Sequence, residues 1–315
     1  MKLVKKGYPA ALLIFALLIP LIFDGYVLTV LAFALTYGII ATGYNTLLGY
    51  TGLFSFGHMA FAGLGAYTCL LLMNHLHLPF LLAMLAAVLF SALVAGITAL
   101  PAIGLKGHFF GISTLAVGET IVLLLTNLQG LTGGAQGILL KETPSIFGIK
   151  LAGDLAYYYM ALAFFVIALG FIWFMLNRTT TGKTWIASRG DENFTSALGI
   201  DVRRAKLSGY IAGSALAAFG GCAYLVIMSC LAPDQFKSSC TTQVIMMVLI
   251  GGKGTLFGPL LGAMLLTWLP HILNMTPQMK MIVYGLVLVV VILGVPQGII
   301  GTIKRYWRKR KNARG

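Results

Sequence analysis

Phe80-Leu81-Leu82-Ala83-Met84-Leu85-Ala86-Ala87-Val88-Leu89-Phe90-Ser91-Ala92-Leu93-Val94-Ala95-Gly96-Ile97-Thr98-Ala99-Leu100 carries no charged side chain, and Ser91 and Thr98 are its only hydroxyls. Pro79 and Pro101 bracket it. Wound as a helix rising about 1.5 Å per residue, it matches the ~30 Å hydrocarbon core of a bilayer. Similar runs lie on both sides of it, and together they give candidate spans at 8–23, 26–47, 53–73, 79–101, 108–128, 155–177, 207–229, 242–252, 257–273 and 281–300. The run at 242–252 is too short to cross and is followed by Gly251-Gly252-Lys253-Gly254, so it reads as broken or re-entrant. Irregular backbone at membrane depth has to be buried in protein or to line a cavity. The expected fold class is all-α, a polytopic transmembrane helical bundle of eight to ten spans with broken or re-entrant segments.

Composition agrees. Hydrophobic residues make up 59% of the 315 and charged residues 10%, against about 25% in soluble chains, with a mean hydropathy of +0.92. No polar stretch is long enough to fold alone, so 1–315 reads as a single transmembrane domain. The net charge of +14 would suit nucleic acid only if it were gathered on a soluble face. Instead the Lys and Arg sit between apolar runs and in the tail at 301–315. With ten crossings, all 22 basic residues except Lys141, Lys150, Lys237 and Lys280 fall on one side. By the positive-inside rule that side is the cytoplasm, with both termini there. Lys2, Lys5 and Lys6 before the first run resemble a signal peptide; no small-residue cleavage site follows, so the run reads as an uncleaved span.

Two polar segments stand out. The outer one, 129–154, contains Thr132-Gly133-Gly134-Ala135-Gln136-Gly137 and reads as a structured loop. The inner one, 178–206, places basic and acidic residues around Ala187, Phe194, Ala197, Leu198 and Ile200. Asp191 and Glu192 stand where a helix would start, and Gly199 where it would stop. A short amphipathic helix over 187–199 follows, either exposed for docking or resting on lipid headgroups. No phosphate-binding loop, zinc-protease pair or nucleophile elbow occurs, and nothing calls for a metal or cofactor. Cys230 and Cys240 flank one outer loop, bridged or free.

Within the spans, Glu119 is a lone acid at mid-helix. It has to face protein or water, either as a pathway group or as a packing hydrogen bond. Gly209, Gly213, Ala217 and Gly221 recur every fourth residue, and Gly258 and Gly262 repeat the theme; such stripes let helix backbones approach closely. The stretch Gly49 to Tyr67 is rich in glycine and polar groups and reads as facing a cavity or a tight interface.

Four motifs resemble the permease subunits of bacterial branched-chain amino acid ABC importers. They are Leu48-Gly49-Tyr50-Thr51-Gly52-Leu53-Phe54-Ser55-Phe56-Gly57-His58-Met59-Ala60-Phe61, then Thr114 to Glu119 with Leu131 to Ile138, then Ala197-Leu198-Gly199-Ile200, and lastly Gly251 to Ala263. Pro296 to Gly301 adds to them. Of the family's two homologous permeases, the chain resembles the type with the larger loop and the late glycine motif. The chain departs from the pattern at Asn193, Phe194 and Thr195, where small residues are usual, and at Val122 and Leu123, where an Arg commonly follows the acid.

The resemblance implies a function, a partner set and roles. The chain would form the translocation path for branched-chain amino acids in a bacterial plasma membrane, with urea and short amides as alternative substrates. Its partners would be a homologous permease, two cytoplasmic ATPases, a periplasmic or extracellular substrate-binding protein and the lipid bilayer, with ATP hydrolysis left to the ATPases. Ser55, Phe56, Gly57, His58, Glu119 and Thr120 would lie on the path or in the interior. Arg189, Asp191, Glu192, Ala197, Leu198 and Gly199 would couple the chain to an ATPase. A self-contained carrier using Glu119 is the alternative from another class.

Overall fold

The computed structural model describes residues 16–21, 23, 25–105, 107–146, 148–272, 279, 285–286 and 298–302. The candidate spans at 8–23 and 281–300 and the basic tail lie for the most part outside them. Six of the described helices are long and apolar enough to cross a membrane. They are α1 (Tyr26–Asn45, continued by a π-helical turn Thr46–Thr51), α2 (His58–Leu76), α3 (Phe80–Ala102), α4 (His108–Asn127), α5 (Asp154–Arg178) and, after two short helices, α8 (Val202–Met228). The short ones are α6 (Thr180–Gly190) and α7 (Glu192–Ala197); α9 (Ser238–Gly251) and α10 (Gly258–Ile272) follow α8. The polytopic helical bundle read from the apolar runs is what forms.

The bundle is built around α8, which packs against α1, α2 and α3. Its small residues explain how. A Cβ added at Gly213 would fall 1.9 Å from Leu47 Cδ1 and 2.7 Å from the Gly43 carbonyl oxygen. One at Gly221 would fall 2.0 Å from the Ala62 carbonyl, and one at Gly209 2.3 Å from Thr51 Cγ2. The N–H of Ala217 lies 3.2 Å from where a Cβ on Gly43 would stand. At Gly43–Gly213 and at Gly221–Ala62 backbone approaches backbone, and at Gly213 and Gly209 the missing Cβ leaves room for Leu47 and Thr51, contacts of close fit and dispersion. Gly262 and Gly258 set α10 against α9: a Cβ at Gly262 would come 1.8 Å from the Met247 carbonyl, and one at Gly258 2.6 Å from that of Gly252.

Two helices begin inside the bundle and not at its surface. The run read as a span from 53 becomes helical only at His58; residues 52–57 are non-helical and fold back between α1 and α4. His58 therefore starts α2 level with Ile40, about three turns above the end of the π turn. From the opposite end, residues 229–237 turn inward, and α9 starts at Ser238. Its 14 residues reach only about two thirds of the way across a ~30 Å core. The two starts touch: the Met59 N–H donates to Thr241 Oγ1 at 3.1 Å.

The ends of the bundle differ in chemistry. One, the basic end, carries Arg178, Lys183, Arg189, Arg203 and Arg204 on or beside α6–α8. The other carries the hairpin β2 (Ser145–Ile146) with β3 (Ile149–Lys150), and the pair β1 (Ile138–Leu139) with β4 (Cys230–Leu231). Asn74 ties that loop to α2 by donating to the Leu139 carbonyl (3.0 Å) and accepting from the Lys141 N–H (3.0 Å).

Candidate functional site

The site is the seam where the starts of α2 and α9 meet the middle of α4. Glycines make it. A Cβ on Gly118 would stand 2.6 Å from Gly57 Cα, and one on Gly57 would stand 2.1 Å from the Thr114 carbonyl. The Phe56 N–H, left without a helical partner, donates to Thr114 Oγ1 at 3.2 Å. Ser55 and His58 are fully buried behind this contact. One ring nitrogen of His58, Nε2, lies 3.1 Å from the Ile40 carbonyl, and its ring stands edge-on to Tyr44. Ser55 and His58 thus form the wall and not its surface, while Phe56 is half-buried beside Phe54.

Glu119 and Thr120, the next two residues of α4, lie outside the Gly57–Gly118 contact and are exposed on the single chain. Glu119 Oε1 accepts from the Ser238 N–H at 3.3 Å, at the first turn of α9. The unpaired N–H groups and the dipole at a helix start favour a carboxylate there. Thr120 bonds back to the Ala116 carbonyl at 2.8 Å, as hydroxyls in apolar helices do. Next to Glu119, Lys237 Nζ pairs with Asp234 Oδ1 at 2.7 Å, both side chains largely exposed.

Asp234 and Lys237 are the residues that sequence reading misplaced, since it set them in an outer loop. Their segment is held inward by Phe236, which fills the space left by Gly63 and stacks edge-on with Tyr67 and Tyr224. The available signal was the shortness of the run at 242–252, which leaves room for its lead-in to enter the bundle.

At the basic end the single helix expected over 187–199 is two. Residues 187–190 finish α6, and Asp191 breaks the chain by capping α7, accepting from the Phe194 N–H at 3.0 Å. Gly199, at φ +78°, ends it in a conformation that a side chain would strain. Glu192 is pinned to α8 by Lys206 Nζ at 2.6 Å. Phe194, Ala197 and Leu198 are exposed, Leu198 at 64%. Arg189 is exposed as well, and its guanidinium turns to the Gly49 carbonyl in the π turn.

Among the described residues no three His, Cys, Asp or Glu side chains gather as a metal site, and His77 instead pairs with Glu142 at 3.3 Å. Cys230 and Cys240 are free thiols.

The profile of the family described as "Branched-chain amino acid transport system / permease component" matches residues 26–292, which include all four glycine-rich motifs. The chain belongs to this family. It is 28% identical over 319 aligned residues to the high-affinity branched-chain amino acid transport system permease protein LivM of Escherichia coli K12, covering 94% of this chain and 75% of that one. The LivM of Salmonella typhimurium is 27% identical over the same shares. A probable branched-chain amino acid transport permease protein LivM of Methanocaldococcus jannaschii is 30% identical over 186 residues, 58% of this chain and 53% of that one. No solved structure matches the chain. Family membership accounts for the long apolar helices.

Proposed function

We propose that the chain is the membrane-spanning permease of an ATP-driven importer of branched-chain amino acids, and that the seam at Glu119 lies on the translocation path. The observation that carries this is the placement of Glu119, Asp234 and Lys237. All three are exposed on one face of the single chain, at or near half depth, with Glu119 just past the middle of α4. A charged side chain in hydrocarbon costs roughly 2.5–3.5 kcal/mol on insertion scales. Such a face is stable against water or against a second protein wall. A homologous permease subunit facing it would supply that wall and enclose a polar route.

The remaining partners follow from the two ends. The basic end faces the cytoplasm, where one of the two ATPases docks on the exposed Phe194 and Leu198 of the α7 segment and the other on the homologous permease. The hairpin end receives solute from a soluble binding protein. The chain itself hydrolyses no ATP.

The test is reconstitution in proteoliposomes. The chain with its permease partner, both ATPases and the binding protein should take up leucine, isoleucine or valine only with ATP. Uptake by this chain alone, driven by a proton gradient, would sink the reading.

A further inference from the structure

Arg189 lies between the segment proposed to dock the ATPases and two glycine loops at the basic end of the bundle. It is in the last turn of α6, next to the Asp191 cap that begins α7. Its Nη1 donates to the carbonyl of Gly49, in the last turn of the π-helical segment. Carbonyls there lack helical partners and carry the negative end of the helix dipole, so a cation is favoured. Two glycines at positive φ, Gly254 (+74°) and Gly52 (+77°), lie against the Arg189 side chain. A Cβ on Gly254 would stand 2.6 Å from Nη1, and one on Gly52 3.4 Å from Arg189 Cγ.

The loop holding Gly254 is locked to the π turn from its other side. Buried Asn45 accepts from the Gly254 N–H at 2.8 Å and donates to the Thr255 carbonyl at 3.0 Å. Gly298, farther along the chain, rests on Gly252, where its Cβ would stand 2.4 Å from the Gly252 Cα. The glycine motifs that follow α1 and α9 are thus one assembly, and Arg189 is the side chain that joins it to the surface segment.

That segment is stiff enough to transmit movement. Trp185 is fully buried and donates to Ser208 Oγ at 2.9 Å, Thr195 Oγ1 donates to the Ala187 carbonyl at 3.0 Å, and Lys206 holds Glu192. α6 and α7 are therefore bound to each other and to α8, leaving Phe194 and Leu198 outside.

We propose that Arg189 is a positioning residue that carries nucleotide-driven displacement of the α6–α7 segment into the Gly49 and Gly254 loops, so that the mouth at the basic end opens in step with the ATPases. This rests on the permease reading above and assigns Arg189, exposed on the single chain, to the contact with the glycine loops and not to the ATPase contact.

The experiment compares wild type, Arg189→Gln and Arg189→Lys in the full reconstituted complex. Arg189→Gln should keep both ATPases bound and hydrolysis within about twofold, while uptake per ATP falls about tenfold, the order expected from one lost charge-assisted hydrogen bond. Arg189→Lys, which keeps the charge but not the fork, should recover part of it. Hydrogen–deuterium exchange supplies a readout that a merely structural role would not move. In wild type, ATP should change protection of peptides over 192–200, 45–55 and 250–258. In Arg189→Gln the first should still respond and the other two should not. If Arg189→Gln does not accumulate, the same exchange comparison is made on Arg189→Lys, where an unaltered ATP response overturns the proposal. Loss of the ATPases from either variant makes Arg189 a docking residue and also overturns it, as does unchanged uptake per ATP. A wild-type complex without ATP-driven uptake is a separate result, and it strikes the permease reading.

Discussion

α3 and α4 are neighbours of similar length that leave similar shares of themselves uncovered: 33% and 39% of their most apolar windows are buried. Their open faces differ. On α3 it is Leu85, Leu89, Leu93, Ile97 and Leu100, with no polar group. On α4, Ile112 and Leu123 flank Glu119 and Thr120. Two faces equally free of protein therefore ask for different surroundings, the first for hydrocarbon and the second for a polar partner or water. Burial alone does not separate them; the cost of transferring a charge does.

The largest expected effect tests that contrast directly. Leu89→Glu puts a carboxylate at the middle of the α3 face, where it should cost about 3 kcal/mol, roughly a hundredfold in partitioning. Membrane accumulation should collapse. Thr120→Glu makes the same kind of change on α4, beside an acid already tolerated, and should lower accumulation only slightly. Quantitative immunoblots of membrane fractions decide it, and equal losses at both positions would end the distinction.

Next in size is Glu119 itself. Glu119→Leu removes the acceptor of the Ser238 N–H and turns the open face of α4 apolar, so uptake should fall about tenfold in an assembled complex. Glu119→Gln keeps an acceptor and should transport nearly as wild type. Abolished uptake in Glu119→Gln would instead assign the charge a role in transport.

A third exposed apolar surface, Phe194 with Leu198, belongs to neither helix and stands at the basic end. Leu198→Arg should leave insertion unchanged and release the ATPases, since a charge buried unpaired in an interface costs several kcal/mol. Copurification reads the outcome. Retained ATPases would place docking elsewhere.

How much of this was legible follows from which residues decide each feature. Spans and bundle were readable, because hydropathy over about 20 residues depends on composition and not on tertiary contacts. The start of α2 was not: Leu53, Phe54 and Phe56 are as apolar as a helix requires, and it is the packing of Phe54 and Phe56 on Gly111 and the Phe56 N–H bond to Thr114 that accompany their non-helical path. Lys237 and Asp234 looked like loop charges because hydropathy cannot see that Phe236 draws the segment inward. The resemblance groups Arg189 with Asp191 and Glu192, whereas the helix break at Asp191 lets Arg189 reach the Gly49 carbonyl while Glu192 pairs with Lys206. Glu119 was identifiable as unusual from its position, but its partner, a backbone N–H more than a hundred residues away, leaves no trace in side-chain identity.

The smallest expected effect is on the lipid face. Leu93 is 61% exposed on α3, and its outer atoms touch no protein. In water such a leucine would gain by truncation; in hydrocarbon it neither gains nor loses much, since lipid tails solvate Leu and Ala side chains alike. Leu93→Ala should therefore shift stability by no more than about 0.5 kcal/mol, visible as an unchanged melting temperature in detergent and unchanged uptake. Leu225, fully buried on α8, supplies the reference, where truncation leaves a cavity and should cost about 2–5 kcal/mol. A loss at Leu93 approaching that at Leu225 would mean that α3 faces a protein subunit, and the lipid-facing side of the comparison would have to move to another helix.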